Sequence, residues 1–274
     1  MSAIRRNDTI VVRRLETRAE ATEAVGPDVL YSMGMNGDYA HSFWATSDYA
    51  AVALVFAKPP DDEGWLVVMR GPARRAASEN TVGEQGPGEP SINLVDTVRA
   101  EVGGLIGGLT VPRSPILAPA LDRWKLNPGN DWDLMVCDEP PPPQPGESLV
   151  RNDVTEAEVQ AFLDRVNPHH SVRADDPSVE LWAGVRDEAG AVTAVGALTR
   201  RRTGVGYLAS IATDPAVRGT GRGSAITAHL TRRVFDAGES QCTLAHYHPN
   251  ESARRVYRRL GYWTLAQNYS AGFA

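Results

Sequence analysis

Residues 207–223 read Tyr-Leu-Ala-Ser-Ile-Ala-Thr-Asp-Pro-Ala-Val-Arg-Gly-Thr-Gly-Arg-Gly. The first seven read as a strand, which Asp214-Pro215 closes. Downstream, Ile226, Leu230 and Val234 recur every four residues and mark one face of a helix that runs to Ala237-Gly238. Between strand and helix stand Gly219, Gly221 and Gly223. A strand, a glycine-rich turn and a helix start together make an anion site. The first helical N–H groups have no intrahelical partner, and the helix dipole favours negative charge there. Glycine lets the backbone approach the anion and adopt positive φ. A pyrophosphate suits such a site best.

Two familiar glycine motifs fail on specifics. A P-loop needs Lys-Ser/Thr after its last glycine, and Gly223 is followed by Ser224-Ala225. The dinucleotide fingerprint needs a further glycine where Ser224 stands, and an acid on the next strand. That strand, Gln241 to His246, carries none. What fits is Arg218-x-x-Gly221-x-Gly223 after a strand closed by Asp-Pro, which resembles the acyl-CoA loop of the GNAT acyltransferase superfamily. A second segment, Asn250 to Tyr262, is similar to that family's Asn-x-x-Ala-x-x-x-Tyr-x-x-x-Gly-Phe/Tyr helix. Here Ala253, Val256, Tyr257 and Leu260 share one stripe, so Tyr257 points inward, and Gly261 stops the helix.

The resemblance implies an α/β (α+β) GNAT fold, a mixed and mostly antiparallel sheet flanked by helices. It implies acetyl-CoA, or another acyl-CoA, as co-substrate and an N-acyltransferase acting on the amine of a small molecule. Ile211, Ala212 and Thr213 would bind the pantetheine arm, and the amides of Arg218, Gly219, Thr220, Gly221, Arg222, Gly223 and Ser224 the pyrophosphate, with Asn250 completing the cofactor site. Tyr257 would act as general acid on the departing thiol. Family members often carry a Glu on the strand before the loop, but Ala209 and Ser210 stand there, which leaves His246 as a candidate base. The alternatives are an acyl-CoA-binding regulatory module without catalysis, or a protein amine as acceptor.

Composition narrows the partners. The chain has 274 residues, a net charge of −6 and two cysteines, Cys137 and Cys242. The acidic balance argues against a bulk nucleic-acid role. Two cysteines are too few for a disulfide scaffold, and His169-His170 and His246/His248 lack a carboxylate or cysteine at ligand spacing, so no metal site is expected. No long apolar run or signal-peptide core is present, and the expected location is cytoplasmic, away from membranes.

Pro140 to Pro143 and Pro145 mark an extended connector. It divides the chain into residues 1–138, a connector at 139–147, and a catalytic domain at 148–274. Within the last, a short strand is expected at 148–151, a helix from Asp153 to Val166, a loop at 168–177 and a hairpin of 179–186 with 192–200. In the N-terminal part, 49–57 and 64–70 read as a hairpin, 78–91 as a mobile loop, 92–102 as a helix and 132–137 as a buried strand. Gly103 to Gly108 reads as a helix end and turn. That order suggests a degenerate copy of the same fold, in tandem with the active one, as in glycine N-acyltransferase-like and mycothiol synthase-like members.

Overall fold

A computed structural model describes residues 12–25, 40–46, 51–56, 64–70, 89–102, 104, 106–114, 118–200 and 204–274. The first elements are β1 (Val12–Leu15), α1 (Arg18–Val25), β2 (Ala40–Thr46), β3 (Ala51–Phe56), β4 (Gly64–Arg70), α2 (Glu89–Val102), β5 (Ile106–Pro112), α3 (Ala118–Trp124) and β6 (Asn130–Cys137). After the connector come a 3-10 turn (Glu147–Leu149), α4 (Glu156–Val166), β7 (Val179–Arg186), β8 (Val192–Arg200), β9 (Gly206–Thr213), a second 3-10 turn (Pro215–Val217), α5 (Arg222–Asp236), β10 (Cys242–Tyr247), α6 (Glu251–Arg259) and β11 (Trp263–Gly272).

The chain forms two units, and they do not part at the connector. Among the described residues, those up to Trp132 join Ala266–Ala274 in the first, and Asp133–Leu265 make the second. In the first unit the strands lie in the order β1-β2-β3-β4-β5-β11. All pairs are antiparallel except β4 with β5. Leu94, Val95 and Val98 of α2 are fully buried with Trp44, Leu66, Leu109 and Trp124. The expected hairpin is β3 with β4. The loop expected at 78–91 lies outside the described residues as far as 88, and its last three residues open α2. The glycine cluster at 103–108 was expected as a turn but leads into β5. Gly108 tolerates strand packing because the Trp65 ring lies over it, where a Cβ would come within 2.3 Å.

In the second unit the order is β6-β10-β9-β8-β7. One core lies under α5 and α6: Ile226, Leu230, Val234, Tyr257 and Leu260 meet Leu198, Leu208 and Leu244, and Met135 and Cys137 of β6 complete it. The other lies under α4, where Val159, Phe162 and Leu163 meet Trp182, Val195, Ala197 and Ala209. The helix α4 begins at Glu156, later than expected, because Thr155 is its N-cap. The Thr155 hydroxyl accepts from the Glu158 amide, and the Glu158 carboxylate accepts from the Thr155 amide. The strand expected at 148–151 is replaced by the 3-10 turn and a single bridge, Arg151 with Gly184. Gly146 at φ 80° turns the chain there, and Leu149 remains 59% exposed, with no apolar face to join.

Two predictions follow from these contacts. Met135 is fully buried in the core under α5 and α6, so Met135→Ala should lower stability by about 2–5 kcal/mol in urea unfolding. A loss well under 1 kcal/mol would remove β6 from that core. The second concerns pH. The hydrogen bond from Arg186 and the Thr155 cap hold the Glu158 carboxyl down at about 2. A depressed carboxylate contributes stability above its unfolded pKa and loses it as pH falls through the folded one. The melting-temperature gap between the native chain and Glu158→Gln should therefore be full above pH 5 and shrink toward about pH 2.

Candidate active site

Strands β9 and β10 run parallel and paired only as far as Leu208 with Leu244. β9 continues to Thr213 and β10 to Tyr247, with no further pairing between them among the described residues. On its other edge β9 stays joined to β8 as far as Thr213 with Ala194. The backbone of Ala209–Thr213 therefore faces a gap between two parting strands. A bulge marks where the parting begins. Val195 and Ala197 on β8 are two residues apart, while their partners Ala212 and Ala209 are three apart. Ser210 takes up the extra residue in a left-handed conformation, φ 49°, although it is not glycine and is buried.

The turn after β9 is built from local hydrogen bonds. Asp214 accepts from the Ala216 amide at 2.9 Å, and the Thr220 hydroxyl donates to the Val217 carbonyl at 2.7 Å. Gly219 and Gly221 take positive φ, 81° and 87°. Gly221 is the N-cap of α5 and offers no side-chain oxygen to the first amides of the helix. These amides, of Arg222, Gly223 and Ser224, stand open to an anion, and the Ala225 amide makes the first helical bond, to the Gly221 carbonyl at 2.9 Å. Arg222 donates to the Thr193 hydroxyl, which itself donates to the Val185 carbonyl at 2.9 Å. The Arg218 Nε donates to the Thr213 carbonyl at 3.4 Å. Ile211, Ala212 and Thr213 thus line the parting strand, and Arg218 to Ser224 close its end. Asn250 stands at the start of α6. It caps α6, its side-chain oxygen accepting from the Ala253 amide at 3.1 Å.

Tyr257 points into the domain from α6 and is 7% exposed. Its ring lies 5.9 Å from that of His246 and 6.1 Å from that of Tyr262. Burial first, and nearby Tyr207 second, push its hydroxyl above the usual phenol range. Among the described residues no hydrogen bond engages that hydroxyl. His246 is held from one side of its ring. Its Nδ1 lies 2.9 Å from the Tyr247 carbonyl, which only an N–H can satisfy. Its buried Nε2 has no hydrogen-bond partner and faces the Asp133 carboxylate at 3.8 Å. Asp133 is fully buried and accepts from His248 Nδ1 at 3.1 and 3.2 Å. This acid escaped the sequence reading, and its one available signal was its place immediately before the apolar run Leu134 to Cys137. Thr193 left no signal at all. His170 is turned to the Asn167 carbonyl, and no group of three metal-ligating side chains occurs among the described residues.

Residues 147–262 match the model of the acetyltransferase (GNAT) family. This stretch is a GNAT domain. No curated protein sequence matches the chain. Among solved structures, a GCN5-related N-acetyltransferase from Sphaerobacter thermophilus is similar with a TM-score of 0.54 and 16% identity, covering 97% of this chain and 95% of that one. A Drosophila protein gives 0.52 at 12% identity, covering 97% and 99%. A tandem GNAT protein from the clavulanic acid biosynthesis pathway gives 0.46 at 12% identity, covering 96% and 98%. At these identities the likeness to the first two is one of fold. The GNAT family generally uses acetyl-CoA. No helix among the described residues is long and apolar enough to cross a membrane.

The open helix start of the GNAT domain depends on Gly221. At φ 87° a β-branched side chain is strained by about 1–2 kcal/mol, so Gly221→Val should weaken CoA binding by roughly tenfold or more in calorimetry. Undiminished affinity would detach the turn from CoA binding.

Proposed function

We propose that the GNAT domain transfers an acyl group, acetyl in the first instance, from acyl-CoA to the amine of a small molecule by direct attack on the thioester. One observation carries the reading: two parallel strands part beside a helix start whose amides lack a side-chain cap. A pyrophosphate fits the amides of Arg222 to Ser224, and an extended arm fits the unpaired edge of Ala209 to Thr213. The second role is not trivial to fill, because the arm must offer amide donors and acceptors where β10 no longer does.

Tyr257 supplies the acid. The attacking nitrogen forms the new C–N bond as the C–S bond breaks, and the sulfur takes the tyrosine proton. The amide nitrogen's surplus proton then restores the tyrosine. Free thiols and phenols titrate near 8.5 and 10, so the transfer is not far out of balance. Burial keeps Tyr257 protonated above its usual range and also makes it a reluctant donor, so the proton must move as the sulfur leaves. Holding the two reactants together can contribute roughly 7–11 kcal/mol, more than any single proton transfer here.

The test is thiol release from acetyl-CoA with a panel of small amines. Tyr257→Phe removes one oxygen and should leave CoA affinity unchanged, while turnover falls by roughly 10²–10⁴. Tight CoA binding with no amine-dependent thiol release would instead favour a regulatory module. Unaltered turnover in Tyr257→Phe, with chemistry limiting, would reduce the tyrosine to a packing role.

A further inference from the structure

Ser210 carries more than a bulge needs. A glycine would reach its left-handed conformation without steric cost, and serine brings only a hydroxyl in exchange. That hydroxyl is used in both directions on one residue far away in sequence. It donates to the Val172 carbonyl at 3.0 Å and accepts from the Val172 amide at 3.1 Å. Val172 belongs to the loop between α4 and β7, and the loop is pinned again two residues on. The Ala174 amide donates to Gln160 Oε1 at 3.0 Å, and the Ala174 carbonyl accepts from Trp182 Nε1 at 3.1 Å. Between these points Arg173 faces solvent. The loop therefore has its backbone fixed at Val172 and Ala174, in a segment with no regular structure of its own.

We propose that Ser210 is a positioning residue: it holds the loop 167–178 beside the point where β9 and β10 part, so that its backbone forms a wall for the acceptor amine. The proposal rests on reading the parted strands as the thioester site. Ser210 does no proton chemistry, since its only proton is donated to the Val172 carbonyl. Two hydrogen bonds to the same peptide-bearing residue stop the loop from rotating about a single contact. They tie it to β9 two residues past Leu208, the last to pair with β10. Gln160 and Trp182 fix the neighbouring turn to α4 and β7, but neither reaches β9. Ser210 adds two hydrogen bonds to the apolar packing of Val172 and Ala174 with Ala209 and Ala212 on the strand that would carry the acyl donor.

The full chain would be compared with Ser210→Ala and Ser210→Gly. Both lose the hydroxyl, but only glycine also relieves the backbone, so a shared effect belongs to the hydroxyl and not to strain. Hydrogen–deuterium exchange of peptides covering 168–178 should be at least about tenfold faster in both variants. With an active amine from the panel, its KM should rise roughly tenfold and kcat change far less. Ser210→Gly should melt no lower than the native chain, which separates loop release from unfolding. Unchanged exchange would overturn the clamp. Faster exchange with an unchanged amine KM would overturn its role toward the acceptor. If the native chain shows no amine-dependent thiol release, the acceptor role falls with the proposed function, and the exchange data still decide whether Ser210 holds the loop.

Discussion

A backbone that gives up its hydrogen-bonding partner inside a folded domain has to be offered another. The parting of β9 from β10 beyond Leu208 and Leu244 creates that demand along Ala209–Thr213. Everything distinctive about the GNAT domain is arranged around this deficit. Upstream of it the two strands pair in register and bury Leu208 and Leu244 under α5 and α6. Downstream the chain turns through Gly219 and Gly221 and starts a helix with its first amides uncapped. One gap in a sheet and one open helix end are joined by the single turn 214–221. A ligand that satisfies both must be an anion joined to an extended polar arm.

The bulge makes the deficit possible without breaking the core. One extra residue in β9 shifts the alternation of its side chains. Leu208 and Ile211 pack under α5 and α6, three apart instead of two, and Ala209 and Ala212 pack under α4. Each face of the sheet keeps its apolar contribution across the irregularity. The cost is the left-handed backbone of Ser210, of order 1–2 kcal/mol for a non-glycine residue. Two hydrogen bonds to Val172 can offset a cost of that size, since each nets about 0.5–1.5 kcal/mol.

Much of the domain could be read from the chain because its signals are local. The four-residue spacing of Ile226, Leu230 and Val234, the stripe containing Tyr257, and the turn residues between β7 and β8 all report their own surroundings. The glycine turn was legible for the same reason, since it and its helix are consecutive. The rest depended on partners distant in sequence. Residues 266–274 pair with β5 in the first unit, and Asp133–Cys137 serve the second, so no boundary drawn along the sequence could be right for both. Asn250 matched a motif, but its oxygen is committed to a helix cap, because a motif records a residue and not which of its atoms is used. Ser210 read as an ordinary strand residue, since nothing in the sequence shows φ or the reach of Val172.

His246 makes the same distinction between residue and atom. An imidazole near the end of β10 satisfied the chemistry expected of a base; its Nδ1 is committed to the Tyr247 carbonyl, while its Nε2 faces Asp133 at 3.8 Å without a hydrogen bond. The fully buried Asp133 would be costly without partners, and His248 provides a direct hydrogen bond. That cluster therefore accounts for the burial of its own charge before it offers anything to a substrate. The polar groups at the parting are similarly occupied. Thr193 holds Arg222, and Ser210 holds Val172. On the proposed function, the side chains here act mainly by fixing backbone and each other, and catalysis draws on the placement of two reactants more than on a battery of acids and bases.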